Sequence, residues 1–295
     1  MEDRKFKIAL FGKEYQEKES TAIQKLIAVV HELDMELTIS ERFHAFLHDQ
    51  LQINLPECEI IAEQDFNADI AISMGGDGTF LQTASRVSHL NIPILGINTG
   101  RLGFLANFSP DDIEPTLKDI VQGKYNIEQH SVLRMTCDEM PLKGYPFSLN
   151  EIAILKHDIS SMIGIHTSID GEYLTTYQAD GLIISTPTGS TAYSLSVGGP
   201  IIVPQLGAIS LTPVAPHSLN MRPIVISDKS TVDLCVESRS SNFLVSFDGR
   251  SQGYPDGIHL HISKAPYCVK VITRPDGSFF STLRTKMMWG ADARK

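Results

Sequence analysis

The chain has 295 residues, with 25 Lys plus Arg against 35 Asp plus Glu, giving a formal charge of −10 and a pI near 5.4. A general nucleic-acid binder carries a basic excess or a basic stripe, and this chain has neither, so nucleic acid is not an expected partner. Hydrophobic residues at 42% and charged residues at 20% describe a folded chain, and the length suggests roughly two domains.

Cys58, Cys137, Cys235 and Cys268 include no pair at metal-ligand spacing, and buried thiols are their simplest reading. Apolar runs such as Ile201-Ile202-Val203 fall far short of the ~18–20 residues that span a bilayer, so a membrane is not an expected partner. At the start only residues 8–11 form an apolar run before Gly12-Lys13, which is too short for a signal-peptide core and suits a first strand. A reducing cytoplasm is the expected compartment.

Residues 6–11 read as a strand. Over 20–33, Ile23, Leu26, Ile27 and Val30 share one helical face, with Ser20 as N-cap. An apolar run at 69–74 leads through glycines into a helix over 80–87, and 92–97 is a third strand. Ser109-Pro110-Asp111-Asp112 places a cap, a proline at the first helical position and acids in the first turn, starting a helix that runs to about Gly123. Strands alternating with helices imply a parallel, Rossmann-like sheet in an α/β domain. From about Ser131 the texture becomes β-rich. Residues 163–169 alternate in period two, Asp170-Gly171 follows, and 172–177 completes a hairpin signature. Residues 244–247, Asp248-Gly249 and 258–262 continue in that style, which suggests a sandwich. Residues 282–289 read as a short helix returning to the first domain.

Three segments carry chemistry. Gly75-Gly76-Asp77-Gly78-Thr79 lies between a buried strand and a helix, where open α/β sheets bind ligands. Its glycines let a phosphate approach the backbone, and the helix N-terminus favours an anion. Asp77 fits such a turn as a contact for a hydroxyl proton or a metal; the alternative is an ordinary turn in which Asp77 caps the helix. P-loop, GxGxxG, GxSxG and HExxH patterns are absent. Asn98-Thr99-Gly100-Arg101-Leu102-Gly103-Phe104 forms a second strand-end loop, whose Phe104 packs against either a ligand base or the core. In the third segment, Asp180-Gly181 leads to Thr186-Pro187-Thr188-Gly189-Ser190-Thr191-Ala192-Tyr193-Ser194. Its hydroxyls, backbone N–H groups and Tyr ring suit a nucleotide pocket, with a polar surface loop as the alternative. Asn150-Glu151 is uninformative alone. His44 with His48, and His259 with His261, lack an acidic partner pattern and read as surface residues.

These segments occur in the order and spacing of the NAD kinases, and the resemblance runs from about Lys7 to Trp289. GGDGT is shared with lipid kinases and phosphofructokinase relatives; NTGRLGF together with TPTGSTAYS is specific. The resemblance implies an N-terminal α/β domain and a C-terminal β-rich domain with the nucleotide between them. It also implies transfer of the ATP γ-phosphoryl group to the 2′-hydroxyl of the adenosine ribose of NAD, with a divalent metal, Mg²⁺ by expectation. The expected boundaries are 1–128, completed by 276–295, for the α/β ATP/NAD-binding domain, and 129–275 for the β-rich NAD-binding domain. By family position Asp77 is the proton acceptor. Gly75, Gly76, Gly78, Thr79, Phe104, Asn150, Glu151, Asp180, Thr188, Ser190, Thr191, Ala192, Tyr193 and Ser196 surround NAD or ATP. Ser161, Ala215 and Asp248 fall near ligand positions. Gln178, two residues before Asp180, is the polar form that the family associates with NAD rather than NADH. Relatives are dimers or tetramers, so a homo-oligomer is expected. A lipid kinase is the enzymatic rival, a dinucleotide sensor without turnover is the rival from another class, and a hydride-transfer enzyme is more distant.

Overall fold

The computed structural model describes residues 4–13, 20–62, 65–100, 103–158, 161–275 and 277–290. The chain forms two units, Met1–Gln129 with Val269–Lys295, and His130–Cys268.

In the first unit, β1 (Lys7–Gly12), α1 (Ser20–Glu32), β2 (Glu36–Ser40), α2 (Glu41–Ala45), β3 (Glu59–Ile61), β4 (Ile70–Met74), α3 (Asp77–Val87), β5 (Ile94–Ile97) and α4 (Ile113–Val121) follow in order. The strands pair in the order β5-β4-β1-β2-β3, all parallel. Every residue of β4 and β5 is buried, as a parallel strand covered on both faces requires. The order reverses between β1 and β4, so the carboxyl end of β4 lies at a topological switch point. Ile23, Leu26, Ile27 and Val30 are buried, as their spacing predicts.

Three local expectations shift. α1 begins at Ser20 itself, which places Ser20 inside the helix rather than before it. α3 begins at Asp77, not Phe80, because the Gly76 carbonyl accepts from both the Thr79 and Phe80 N–H groups. The helix after Ser109 opens as a 3₁₀ turn over Pro110–Asp112, held by a reciprocal Ser109–Asp112 capping box.

Next come β6 (Asn126–Cys137), β7 (Phe147–Ser148), β8 (Glu151–Lys156), β9 (Ile163–Ile169), β10 (Glu172–Ala179), β11 (Gly181–Ser185), a helical turn α5 (Tyr193–Ser196), β12 (Ala208–Val214), β13 (Ile224–Ser227), β14 (Val232–Glu237), β15 (Asn242–Phe247), β16 (Arg250–Pro255) and β17 (His259–Thr273). One antiparallel sheet of the second unit runs β13-β12-β11-β8-β15-β16, and a second runs β10-β9-β14-β17. Alternate residues of both sheets share one core, including Ile152, Ile165, Leu182, Leu234, Val245 and Leu260. The β-rich antiparallel expectation therefore holds. The Asp170-Gly171 hairpin forms as expected, while Asp248-Gly249 turns directly into 250–255 rather than leading to 258–262. Positive φ at Asp170 (52°), Gly171 (81°), Asp248 (48°) and Gly249 (83°) is the pattern of a two-residue type I′ turn.

The far end of β17 returns to the first unit, where Val271 pairs parallel with Ile94. α6 (Phe279–Met287) follows in that unit.

Candidate functional site

The first group of candidate residues belongs to the α/β unit. β4 delivers the chain to Gly75, whose N–H donates to the Ile97 carbonyl at 2.9 Å. Gly75 has φ +146°, and a Cβ there would stand 2.4 Å from Thr79 Oγ1, so only glycine fits. Thr79 is buried beneath the turn, whereas Gly76 and Gly78 are exposed, and a Cβ at either would meet nothing within 4 Å. The turn therefore offers bare backbone to an incoming group at the head of α3.

Asp77, half-buried at the start of α3, does more than cap it. Its Oδ2 accepts from the Phe104 N–H at 2.7 Å, and its Oδ1 accepts from Leu105 and Ala106, each at 3.0 Å. Three consecutive N–H groups thus hold the carboxylate in one orientation. The loop reaches it by folding back on β5. Asn98 N–H donates to the Phe108 carbonyl, Phe108 N–H to the Gly96 carbonyl, and Gly100 N–H to Asn98 Oδ1. Arg101 and Leu102, part of the sequence motif, lie outside the described residues. Phe104 is half-buried, and Lys286 Nζ of α6 lies 4.7 Å from its ring centroid.

Gly103 is the residue that sequence reasoning missed here. A Cβ on it would stand 1.8 Å from Asp77 Oδ1. Gly103→Ala is therefore expected to push the carboxylate out of its cradle and to lower turnover at least ~10-fold, a loss of the kind that misplacing a reacting group causes. A steady-state assay beside a thermal melt checks this, and unchanged turnover would show that the position of Asp77 does not matter.

The second group belongs to the β-rich unit. Asp248, in its hairpin turn, accepts from the N–H groups of Leu149 (2.8 Å), Asn150 (2.9 Å) and Glu151 (3.1 Å). It holds the 149–151 segment as Asp77 holds 104–106. Burial raises the Asp248 pKa against the pull of those N–H groups and of Arg250. Glu151 is only 8% exposed, and its Oε2 is buried without a hydrogen-bond partner among the described residues. Burial first, and the neighbouring Asp248 charge second, push its pKa up to about 7, against a lowering contribution from the Tyr193 N–H.

The hydroxyl-rich segment is largely self-satisfied. Thr186 Oγ1 donates to the Leu149 carbonyl at 2.6 Å and accepts from the Gly189 N–H at 3.1 Å. Ser190 Oγ accepts from the Ile202 N–H at 2.9 Å and lies 2.6 Å from the Pro187 carbonyl. Thr188 meets His130 Nδ1 at 2.8 Å, and Ser194 meets Thr212 at 3.0 Å. These hydroxyls build the loop. Thr191 and Ala192 are half-buried, and Tyr193 and Ser196 are exposed, so these four are open to solvent. Gly189 has no room for a side chain, since its Cβ would stand 2.1 Å from the Asn150 carbonyl oxygen.

Asp180, at the β10–β11 junction, pairs with Lys156 at 2.6 Å and donates its N–H to the Val214 carbonyl. The next residue, Ala215, is exposed and has φ +45°, a backbone region that non-glycine residues rarely adopt. Gln178 is exposed and accepts the His217 N–H at its carbonyl, so Gln178, Asp180 and Ala215 come together. Ser161 is half-buried just before β9.

His259 is exposed and His261 half-buried, so the surface reading holds, but each meets acids. His259 Nδ1 lies 2.7 Å from Glu139, and His261 lies 2.6 Å from Asp233 and 3.0 Å from Asp138. The acids arrive through strand pairing, which places Asp233 opposite His261, and no local pattern announces them. Among the described residues no cluster of three or more His, Cys, Asp or Glu could hold a metal, and no helix is long and apolar enough to cross a membrane.

Comparison with known proteins agrees along nearly the whole length. The family described as ATP-NAD kinase N-terminal domain matches residues 13–125, and ATP-NAD kinase C-terminal domain matches 149–274. An NAD kinase of Bacteroides fragilis is 55% identical over 98% of this chain and 99% of its own. One of Porphyromonas gingivalis is 42% identical over 98% and 99%. The structure of yeast NADH kinase complexed with NADH superposes with a TM-score of 0.89 at 22% identity, covering 99% of this chain and 90% of that one. At this identity the likeness shows the fold. An NAD kinase from Archaeoglobus fulgidus in complex with ATP gives 0.74 at 26% identity, covering 96% and 99%.

Proposed function

The chain belongs to the NAD kinase family and is an ATP-dependent NAD kinase, and from that premise we propose that Asp77 is the general base of the reaction. The observation that carries this is the cradle of Phe104, Leu105 and Ala106 N–H groups around its carboxylate. A carboxylate has about four acceptor positions, so three bonds leave one open, on Oδ2. The ribose 2′-hydroxyl of NAD donates its proton there as its oxygen bonds to the γ-phosphorus of ATP. The bond from that phosphorus to the β–γ bridging oxygen breaks, and ADP leaves. Phosphoryl transfer needs alignment and charge neutralisation more than covalent help, and a fixed proton acceptor supplies the first.

The exposed backbone of Gly76 and Gly78 receives the ATP phosphates, which agrees with the Archaeoglobus relative having been solved with ATP. On the β-rich unit, Glu151, Asp180 and Tyr193 contact NAD, on a platform that Thr188, Ser190 and Asp248 hold in shape. A divalent cation would be held at that turn by the ATP phosphates, because the one open position of Asp77 takes the hydroxyl proton. Phosphate oxygens suit Mg²⁺, which keeps several of its own waters. When bound, it neutralises phosphate charge. The enzyme is read as a cytoplasmic homodimer or homotetramer, which light scattering of the purified protein checks for assembly.

The direct test mixes the protein with NAD, ATP and Mg²⁺ and follows NADP with an NADP-specific dehydrogenase. NADP formation is the expected result, and tight dinucleotide binding without turnover would instead mark a sensor. Replacing NAD by NADH in a matching assay tests Gln178. The expected outcome is a preference for NAD of at least ~10-fold in kcat/KM, and comparable values for the two would remove Gln178 from the specificity set.

A further inference from the structure

α6 brings a positive charge to the Asp77 turn. The Ser278 side chain caps the helix by accepting from the Ser281 N–H at 3.1 Å, and Leu283 buries its underside. Lys286 lies three residues further on, on the same face. Its Nζ sits 4.7 Å from the Phe104 ring centroid, within cation–π range, and the Phe104 N–H is itself bonded to Asp77 Oδ2 at 2.7 Å. An ammonium carries three donors, yet among the described residues Lys286 makes no hydrogen bond and no ion pair. The side chain is half-buried. That burial lowers its pKa, and the Asp77 charge pulls in the opposite direction. A partly desolvated ammonium with unused donors is costly unless something anionic meets it. The adjacent turn, Gly75-Gly76-Asp77-Gly78-Thr79, contributes an acid and no cation.

We propose that Lys286 is a phosphate-binding residue of the reaction, its ammonium contacting the ATP polyphosphate and neutralising the charge that the transferred group carries. This rests on the reading that the 75–79 turn holds those phosphates. Cations aimed at a transferring phosphoryl group act on the transition state, and a lysine serves as a point charge with rotatable donors.

Lys286→Met keeps the length of the stem over Phe104 and removes the charge. It is expected to lower kcat/KM for ATP by about 10²-fold, to weaken ATP binding by calorimetry, and to leave KM for NAD within about twofold. Lys286→Arg is expected to recover about 10-fold of that loss, and Lys286→Gln to match the Met variant. Unchanged ATP kinetics, an equal effect on both substrates, or a change confined to the melting temperature would each overturn the proposal. Gly76→Ala separates it from its premise. A methyl there meets no protein atom within 4 Å, so its expected effect is weaker ATP binding without lost stability. A defect in Gly76→Ala with a normal Lys286→Met removes Lys286 alone. Normal ATP binding in both variants removes the turn as the phosphate site, and Lys286 with it.

Discussion

Asp77→Asn is expected to reduce kcat by about 10²-fold or more while the protein stays folded. The structure adds a second consequence. The amide oxygen can keep the Leu105 and Ala106 N–H bonds, but the amide nitrogen then faces the Phe104 N–H, donor against donor. A donor left unpaired costs about 1–3 kcal/mol when buried, and Asp77 is only partly buried, so the low end applies. That corresponds to a few degrees of melting temperature in a protein of this size. The two consequences separate on measurement, because loosening the loop lowers stability without itself removing a proton acceptor. Turnover loss far beyond the modest thermal shift identifies the carboxylate as the base, and wild-type turnover in Asp77→Asn would end that assignment. If the open position of Asp77 ligates the metal instead, the defect will change when Mn²⁺ replaces Mg²⁺. Gly103→Ala attacks the same carboxylate sterically and keeps its charge, so the pair of variants distinguishes position from chemistry.

The sequence announces what is local. An apolar run, glycines and a helical pattern suffice to place β4, the 75–79 turn and α3 in order. Asp-Gly between two period-two runs suffices for the 163–177 hairpin, whereas at Asp248-Gly249 the turn is legible and its return strand, 250–255, is not. What stays hidden depends on tertiary return. The 104–106 segment meets Asp77 only because the 98–108 loop folds back along β5, and nothing in residue spacing encodes that path. The need for Gly103 is visible only once the carboxylate stands against it. The segment from Thr186 to Ser194 is the clearest case of side chains whose partners the sequence does not name. Its hydroxyls are conspicuous in sequence, yet Thr186, Thr188, Ser190 and Ser194 spend their hydrogen bonds on Leu149, His130, Ile202 and Thr212. Composition records that hydroxyls are present; only packing decides which way they face. The same limit applies to Asp248, which could be carried over as a ligand neighbour but whose three N–H bonds to residues 149–151 make it a clamp.

Glu151→Gln is expected to stabilise the protein above neutral pH and to leave it unchanged near pH 4.5. Glu151 is buried beside Asp248, and its pKa rises from 4.5 to about 7. Below pH 4.5 both folded and unfolded chains carry the protonated acid, and it contributes no difference. Between 4.5 and about 7 the unfolded chain ionises while the folded one retains its proton, so stability falls as pH rises. Above that window the penalty is complete, about 3 kcal/mol at 1.36 kcal/mol per pKa unit. The amide copies the neutral acid in shape and cannot ionise, so the melting temperature should rise by several degrees at pH 8. A melt that parallels the wild type at every pH would show that Glu151 ionises normally. The same substitution should raise KM for NAD by about 10-fold, since a hydrogen bond to a charged group is worth about 1.5–3 kcal/mol. Gain in stability with loss of affinity is the combination expected of an acid kept in an unfavourable place for its ligand. A site chosen for packing alone would accept glutamine at no cost to binding, because Oε2 has no partner of its own among the described residues.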